Sequence, residues 1–292
     1  MSSAPRVVVV HRRSELDELI ARHGTRGQAA FFLSTRGRDL AEVEDRHRAT
    51  AAALERVAAA IPVDWRRGLL ERGDIDRFLF GPDDIVVVVG QDGLVANVAK
   101  YLDGQPVVGI DPEPGRNAGA LVTHAAADVA DLLRAHDAIS ERTMAEAVLD
   151  DGQRLLALNE VFLGHPSHQS ARYTLTTPSG AAEQQSSSGL IVSTGTGATG
   201  WCSSIARERQ STLTMPDPGE ERLLWFVREA WPSPVTGTDL TAGELTRGQV
   251  EVVAQSDRLV AFGDGIESDA LSIGWGQSVR LRIAARRLRL VG

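Results

Sequence analysis

Ile85-Val86-Val87-Val88-Val89-Gly90-Gln91-Asp92-Gly93 is the stretch on which the fold turns. Consecutive β-branched aliphatics with no polar alternation read as a strand buried on both faces. Gly81-Pro82-Asp83-Asp84 ahead of it is a turn signal, and Val95–Leu102 behind it reads as a helix. On the N-terminal side, Arg6–Val10 is a short aliphatic run. Ser14 then stands as an N-cap before Leu16, Leu19 and Ile20, with Gly24 placed to end that helix. Ala29–Leu33 is a second apolar run. Leu40, Val43, Thr50, Leu54, Val57 and Ile61 recur at helical spacing, with Glu42, Asp45, Arg46 and Arg48 off the stripe. On the C-terminal side, Pro106–Ile110 reads as another buried strand. This alternation predicts a parallel sheet with helices on both faces.

Ala125–Ile139 reads as one more helix, with Val129, Leu132 and Leu133 on one side, and beyond it the texture changes. Arg154–Phe162, Ala171–Thr177, Gly189–Ser193, Leu223–Val227, Gln249–Ala254 and Leu259–Phe262 are short β-prone segments separated by Gly, Pro, Ser and Asp. Val279, Leu281 and Ile283 alternate with Arg280 and Arg282, a half-buried antiparallel pattern. The expected fold class is therefore α/β plus all-β: an N-terminal parallel-sheet, Rossmann-like domain followed by a β-rich, sandwich-like one. The expected division is residues 1–123, a connecting helix over 124–140, and 141–292.

Composition narrows the function classes. The 292 residues, 42% hydrophobic and 24% charged with a mean hydropathy of −0.13, are those of a globular protein with room for a sizeable core. The longest aliphatic runs fall far short of the roughly 20 residues a bilayer span needs, and the N-terminus shows no secretory apolar region. Membrane partners are not expected, and the localisation expected is cytoplasmic. The net charge of −8 argues against nucleic acid as a partner. Cys202 is the sole cysteine, which excludes an intrachain disulfide and a cysteine-based zinc site.

Two glycines flanking an acid at the end of a buried strand suit phosphate chemistry. Ligands of open parallel sheets bind at the carboxyl ends of the strands, glycine lets backbone approach a phosphate, and a helix N-terminus favours anions. A glycine at position 91 would allow φ > 0 there, a freedom Gln91 gives up. Asp92 in that setting suits a base toward a hydroxyl or a metal ligand; the plainer reading is an Asp-Gly turn with Asp92 capping the helix. As a surface carboxylate it is expected to be dispensable for folding. Ser193-Thr194-Gly195-Thr196-Gly197-Ala198-Thr199-Gly200 contains a formal G-x-G-x-x-G, but in a β-rich setting with no βαβ unit after it. It reads better as a hydroxyl-rich loop approaching a ligand. Asn159-Glu160 closes the apolar stretch Leu155–Leu158. His165 and His168 flank Pro166-Ser167 in a loop, and a metal there lacks a third ligand. Neither a P-loop nor a nucleophile elbow occurs.

Taken in order, these pieces resemble the NAD kinase family, which groups with diacylglycerol, sphingosine and phosphofructo-kinases. Gly90-Gln91-Asp92-Gly93 stands for that family's GGDG, Asn159-Glu160 for its Asn-Glu pair, and Gly189–Thr199 for its Gly-Leu-Ile-Val-Ser-Thr-x-Thr-Gly-Ser-Thr segment. Val108-Gly109-Ile110-Asp111 with Arg116-Asn117-Ala118-Gly119 resembles the branch that includes mitochondrial NAD kinases. The resemblance implies two domains, the first binding nucleotide and phosphate and the second NAD, with an active site in the crevice between them. It also implies transfer of the ATP γ-phosphoryl to the adenosine ribose 2′-hydroxyl of NAD, with Mg2+ as divalent metal. Asp92 would be catalytic, and Gly90, Gln91, Gly93 and Arg116 would face phosphates. Asn159, Glu160, Ser188, Thr196, Thr199, Trp201 and Ser204 would hold NAD, with no metal ligand assigned. NAD is the small-molecule partner, and a second copy of the chain, as homodimer or higher homo-oligomer, the protein one.

The sequence also departs from the family pattern. Gln91 replaces a glycine, Leu94 a threonine, Trp201 a tyrosine and Asp111 an asparagine, and Ser188 stands where an aspartate is usual. Two other function classes follow: a non-catalytic nucleotide-binding homologue, and an oxidoreductase using Gly195–Gly200 as its dinucleotide loop.

Overall fold

The structure, a computed structural model, describes residues 4–116, 119–136 and 138–292. It divides into two compact units, residues 1–140 with 289–292, and residues 141–288.

In the first unit the chain runs β1 (Arg6–His11), α1 (Glu15–His23), α2 (Arg26–Ser34), α3 (Leu40–Ala60), β2 (Arg66–Glu71), β3 (Asp84–Val89), α4 (Asp92–Ala99), β4 (Pro106–Asp111), β5 (His124–Ala125) and α5 (Val129–Arg134). The strands pair in the order β2-β1-β3-β4, parallel throughout, with β5 on the far edge of β4. Every residue of β3 is buried, as its unbroken aliphatic run requires. Val7, Val9, Val87 and Ile110 meet Ala53, Val57 and Ile61 of α3 and its end, and Val129 and Leu133 of α5. Val8, Val10, Val86 and Val88, which point to the opposite face, are equally buried. Ser14 caps α1 in a reciprocal box with Asp17, and Gly24 closes it at φ +81°, as its sequence implied.

Two local expectations change. Ala29–Leu33 lies in helix α2, whose N-cap Thr25 accepts the Gln28 N–H; Ala29 and Leu33 join Leu19 and Val43 in a small core between the first three helices. The helix expected over 125–139 is shorter. A 3-10 turn at Ala126–Asp128 leads into α5, and the next strand begins at Ile139.

The second unit contains β6 (Ile139–Leu149), β7 (Arg154–Ala157), β8 (Glu160–Gly164), β9 (Ala171–Thr176), β10 (Ala182–Ser187), β11 (Gly189–Ser193), α6 (Trp201–Glu208), β12 (Leu223–Arg228), β13 (Ala242–Leu245), β14 (Val250–Ala254), β15 (Arg258–Gly263), β16 (Ile266–Gly274) and β17 (Ser278–Val291). One sheet runs β10-β9-β14-β17, with β6 on β17 and β7 on β6; the other runs β13-β12-β11-β8-β15-β16. Alternate residues of both sheets, among them Tyr173, Leu175, Val192, Trp225, Val252 and Leu281, meet in one core, so this unit is a β-sandwich. The outer face of the second sheet is covered by α6, through Phe162, Ile191, Leu224 and Phe226 against Cys202, Ile205 and Ala206. The last residues of β17 leave the sandwich, and Arg289 and Leu290 pair in parallel with β4 of the first unit's sheet. The expected fold class, a parallel α/β part followed by an antiparallel β-rich part, is the observed one.

Candidate functional site

In the first unit, β3 runs out into Gly90, whose N–H still donates to Ile110 O at 3.0 Å. Gln91 is the N-cap of α4, at φ −113° and ψ 164°, with no side-chain bond to the helix. That is extended backbone open to any residue, so the φ > 0 that a glycine at this position would allow is not used here. The Gln91 side chain is exposed, and a β-carbon at Gly93 would meet only open space. Both positions are free to face a ligand. Gln91→Gly is therefore expected to leave stability almost unchanged. Its effect should fall on the KM for ATP, with a loss of about tenfold in kcat/KM if the side-chain amide bonds a phosphate. Unchanged kinetics would remove Gln91 from the donor site.

Asp92 is the first residue of α4 rather than its cap, and its carboxylate is already engaged. It accepts the Ala120 N–H on Oδ2 at 2.8 Å, and the Leu121 and Val122 N–H groups on Oδ1 at 2.9 and 3.0 Å. That loop lies directly on β4, since a β-carbon at Gly109 would come within 1.9 Å of Leu121 O. Gly119 is similarly confined, since a β-carbon there would lie 2.9 Å from Val122 O and 3.1 Å from Asp92 Oδ1. Asp92 thus ties the loop after β4 to the end of β3, and folding is not indifferent to it. A carboxylate offers about four lone-pair sites, of which three are spent here, so one is left. Arg116 pairs with Glu113 three residues back, at 3.1 Å on the surface. Asn117 and Ala118 lie outside the described residues. Beside this loop opens a cleft of about 380 Å3 lined by Asp111, Gly115, Gly119, Thr123 and His124 among others.

In the second unit, Asn159 and Glu160 do not end a strand. Asn159 sits between β7 and β8, and Glu160 opens β8. Asp264, in the tight turn after β15 at φ +55°, accepts the Leu158 and Asn159 N–H groups at 3.0 and 2.6 Å. Thr194 completes the clamp, donating its N–H to Asn159 O at 2.9 Å and its hydroxyl to Leu158 O at 2.5 Å. Burial, reinforced by the nearby Asp264 carboxylate, pushes the Glu160 carboxyl up to about 7. Near neutral pH this side chain is therefore half protonated and can donate as well as accept. The pH dependence follows from the direction of the shift. The folded state holds a proton that the unfolded chain releases near 4.5, so this contribution to stability is complete below pH 4.5 and is lost as pH rises through about 7. Glu160→Gln is expected to flatten that limb and to stabilise the protein at alkaline pH by up to about 3 kcal/mol. Urea unfolding on either side of pH 7 measures it; equal slopes in both proteins would remove the burial argument.

The glycine loop between β11 and α6 serves two purposes. A β-carbon at Gly195 would lie 2.1 Å from Asp217 O, and one at Gly197 2.2 Å from Asn159 O. Both glycines therefore exist for backbone contact inside the protein, and β11 is antiparallel to both neighbours, so no βαβ dinucleotide unit is present. The glycines are packing positions, and what the loop could offer a ligand is its hydroxyls. The threonines differ. Thr196 Oγ1 is buried with no hydrogen-bond partner among the described residues, while Thr199 and Ser204 are exposed. A buried hydroxyl without a partner is the kind of group a bound ligand would satisfy. Trp201 stacks on Phe162 at 5.7 Å with Arg228 4.9 Å over its ring, and Ser188 donates its N–H to Arg228 O at 2.9 Å. Cys202 is fully buried beneath, and burial raises its thiol to about 11, which leaves it inert. Asp264, Gly109 and the amides of residues 120–122 went unrecognised in the sequence. The one available signal, Asp264-Gly265 between two β-prone runs, reads as a turn.

No protein-family model matches the chain, and no curated protein sequence does. Its fold is similar to that in a crystal structure of an NAD kinase from Archaeoglobus fulgidus in complex with ATP. The TM-score is 0.60 at 16% sequence identity, over 98% of this chain and 93% of that one. The chain therefore has the NAD kinase fold. Among the described residues, no helix is long and apolar enough to cross a membrane.

Proposed function

We propose that the protein is a phosphotransferase of the NAD kinase type, moving the γ-phosphoryl of ATP to the adenosine ribose 2′-hydroxyl of NAD. The observation that carries the reading is the pairing of that fold with Gly90-Gln91-Asp92-Gly93 at the carboxyl end of a buried central strand, where parallel sheets bind phosphates. The motif order, which resembles the branch that includes mitochondrial NAD kinases, supports it as well. Phosphoryl transfer asks for positioning and charge stabilisation more than for covalent chemistry. In this reading Asp92, fixed by three amides, uses its remaining acceptor position to orient the attacking hydroxyl. Gly90, Gln91 and Gly93 line the donor phosphates, with Arg116 near them once released from Glu113. Asn159, Glu160 and the unpartnered Thr196 hydroxyl hold the nucleoside, with Ser188, Thr199, Trp201 and Ser204 around them. Magnesium, the divalent metal of this reading, enters as part of the MgATP substrate.

Incubation with ATP, magnesium and NAD is expected to form NADP. NAD binding without turnover would favour the non-catalytic homologue, and neither binding nor turnover would reject the reading. Glu160 adds a finer expectation, because glutamine mimics its protonated form. Wild type should lose NAD affinity as the pH rises through about 7, whereas Glu160→Gln should show a flat KM across that range with kcat little changed. A collapse of kcat at constant KM would instead make Glu160 catalytic.

A further inference from the structure

We propose that the β-sandwich carries a second ligand site, built from residues outside the assignment above, for a phosphorylated compound bearing a planar aromatic ring, of the nucleoside monophosphate class. The place is a cleft of about 610 Å3 lined by His165, His168, Arg172, Asp257, Arg258 and Trp275 together with polar residues of the same loops. Its volume falls within the range of small-molecule sites, roughly 300–1,000 Å3. The loop between β8 and β9, the turn between β14 and β15, and the turn between β16 and β17 all contribute, so residues remote in sequence converge on one concavity.

Charge points to an anion. Several arginines of this acidic unit are neutralised, Arg222 by Glu220 and Glu244, Arg282 by Glu146, Arg287 by Glu141 and Glu221, whereas the cleft gathers two that are not. Arg172 and Arg258 have no ion-pair partner among the described residues, and Asp257, the one carboxylate lining the cleft, pairs with neither. Two unneutralised guanidinium groups in one concavity are a natural fork for a phosphate. A phosphate monoester carries close to two charges near neutral pH, which two guanidinium groups match. His165 adds a donor. Its Nδ1 accepts the Ser167 N–H at 3.1 Å, so the neutral ring keeps its proton on Nε2.

The aromatic part of the ligand is argued from Trp275, which leaves 68% of its surface in solvent. Its turn is pinned: the Gly276 N–H donates to Ala254 O at 2.9 Å, the Ala254 N–H to Gln277 O at 3.0 Å, and the Gly274 N–H to Gln277 Oε1 at 2.8 Å. An exposed indole on a pinned turn, in one cleft with two cations, offers a face on which a planar ring stacks. The backbone on the arginine side of the cleft is held as well. Arg172 donates its N–H to Ser256 Oγ at 3.0 Å and accepts the Gln255 N–H at 2.8 Å, while Gln255 Nε2 bonds Thr174 Oγ1 at 2.9 Å. Such prior ordering lowers the entropy lost on binding.

The test is a fluorescence titration of the full chain with adenosine 5′-monophosphate. Comparison with Trp275→Phe isolates the signal of this indole from the other four tryptophans. A saturable change that depends on Trp275 is expected, whatever signal Trp275→Phe retains being that of Trp201 at the assigned nucleoside site, and Arg172→Gln/Arg258→Gln, with an unchanged melting midpoint, should weaken the Trp275-dependent part by about tenfold or more. Adenosine and inorganic phosphate, titrated separately, should each bind more weakly than the nucleotide. The proposal is overturned if no Trp275-dependent change appears, if the double variant binds as wild type does, or if either fragment alone binds as tightly as the whole. No residue is shared with the assigned phosphotransferase positions, so the result is independent of NADP formation.

Discussion

Asp92→Asn is expected to lower folding stability by about 2–3 kcal/mol as well as to reduce turnover. The carboxylate accepts three backbone N–H groups, one on Oδ2 and two on Oδ1. Asparagine can supply only one of those oxygens. Placed at Oδ1 it keeps the Leu121 and Val122 bonds but turns an NH2 group toward the Ala120 N–H, donor against donor. The negative charge is lost at the same time, and hydrogen bonds to charged acceptors are the stronger kind, about 1.5–3 kcal/mol each. The loop cannot relax by retreating along β4, because Leu121 lies against the bare Cα of Gly109. The expectation that a surface carboxylate at this turn is dispensable for folding is thus reversed by what it holds. Denaturant unfolding measures the first effect and NADP formation the second, where a loss of about 10² or more is expected for a residue that orients the attacking hydroxyl. An unchanged unfolding midpoint would show that the loop stands without Asp92. Full activity in a folded variant would take Asp92 out of the proposed mechanism.

What the sequence made legible was governed by side-chain pattern. The aliphatic run Ile85–Val89 marked a central strand because every residue in it is β-branched, and the strands around Ala171, Gly189, Leu223 and Val279 declared themselves by β-branched content or alternation. Ala29–Leu33 did not, because five apolar residues in a row suit a buried helix as well as a strand, and the Thr25 cap that decides it is one side chain. β10 was missed because Ala182–Ser187 is polar at every position after Ala182. Gln185, Ser186 and Ser187 are nevertheless buried there, with Gln185 Nε2 donating to Leu240 O and Glu183 Oε2 while Oε1 has no hydrogen-bond partner among the described residues. At the candidate site, residue types were visible and their obligations were not. Glu160 looked like a polar strand end, and only the fold brings it to Asp264, 104 positions along the chain, whose charge and shared burial raise its pKa. Long-range backbone contacts leave no local trace except glycine, and glycine has more than one reading.

That ambiguity supplies the second large effect. Gly197→Ala is expected to destabilise the protein by about 3 kcal/mol, at the upper end of overpacking penalties. Backbone conformation is not the reason, since Gly197 is not among the positive-φ glycines. The reason is contact: the new methyl would meet Asn159 O, C and Cα at 2.2, 2.5 and 2.8 Å. Those atoms are fixed from three sides, by Asp264 on the Asn159 N–H, by the Thr194 N–H on the Asn159 carbonyl, and by the Thr194 hydroxyl on Leu158 O. Relief must therefore come from breaking the loop away from β8, which also moves Asn159 and Thr196. Gly93→Ala is the informative companion. Its β-carbon would enter open space on the first turn of α4, where alanine is the better helix former by about 1 kcal/mol. It should fold at least as well as wild type and still lose ATP affinity if backbone there approaches a phosphate. A packing glycine and a ligand-facing glycine are thus expected to separate cleanly, one in the unfolding midpoint and the other in KM. Equal stability loss in both variants would mean that the Gly93 turn is as closely packed as the Gly197 loop, and that phosphate approach is not what Gly93 is for.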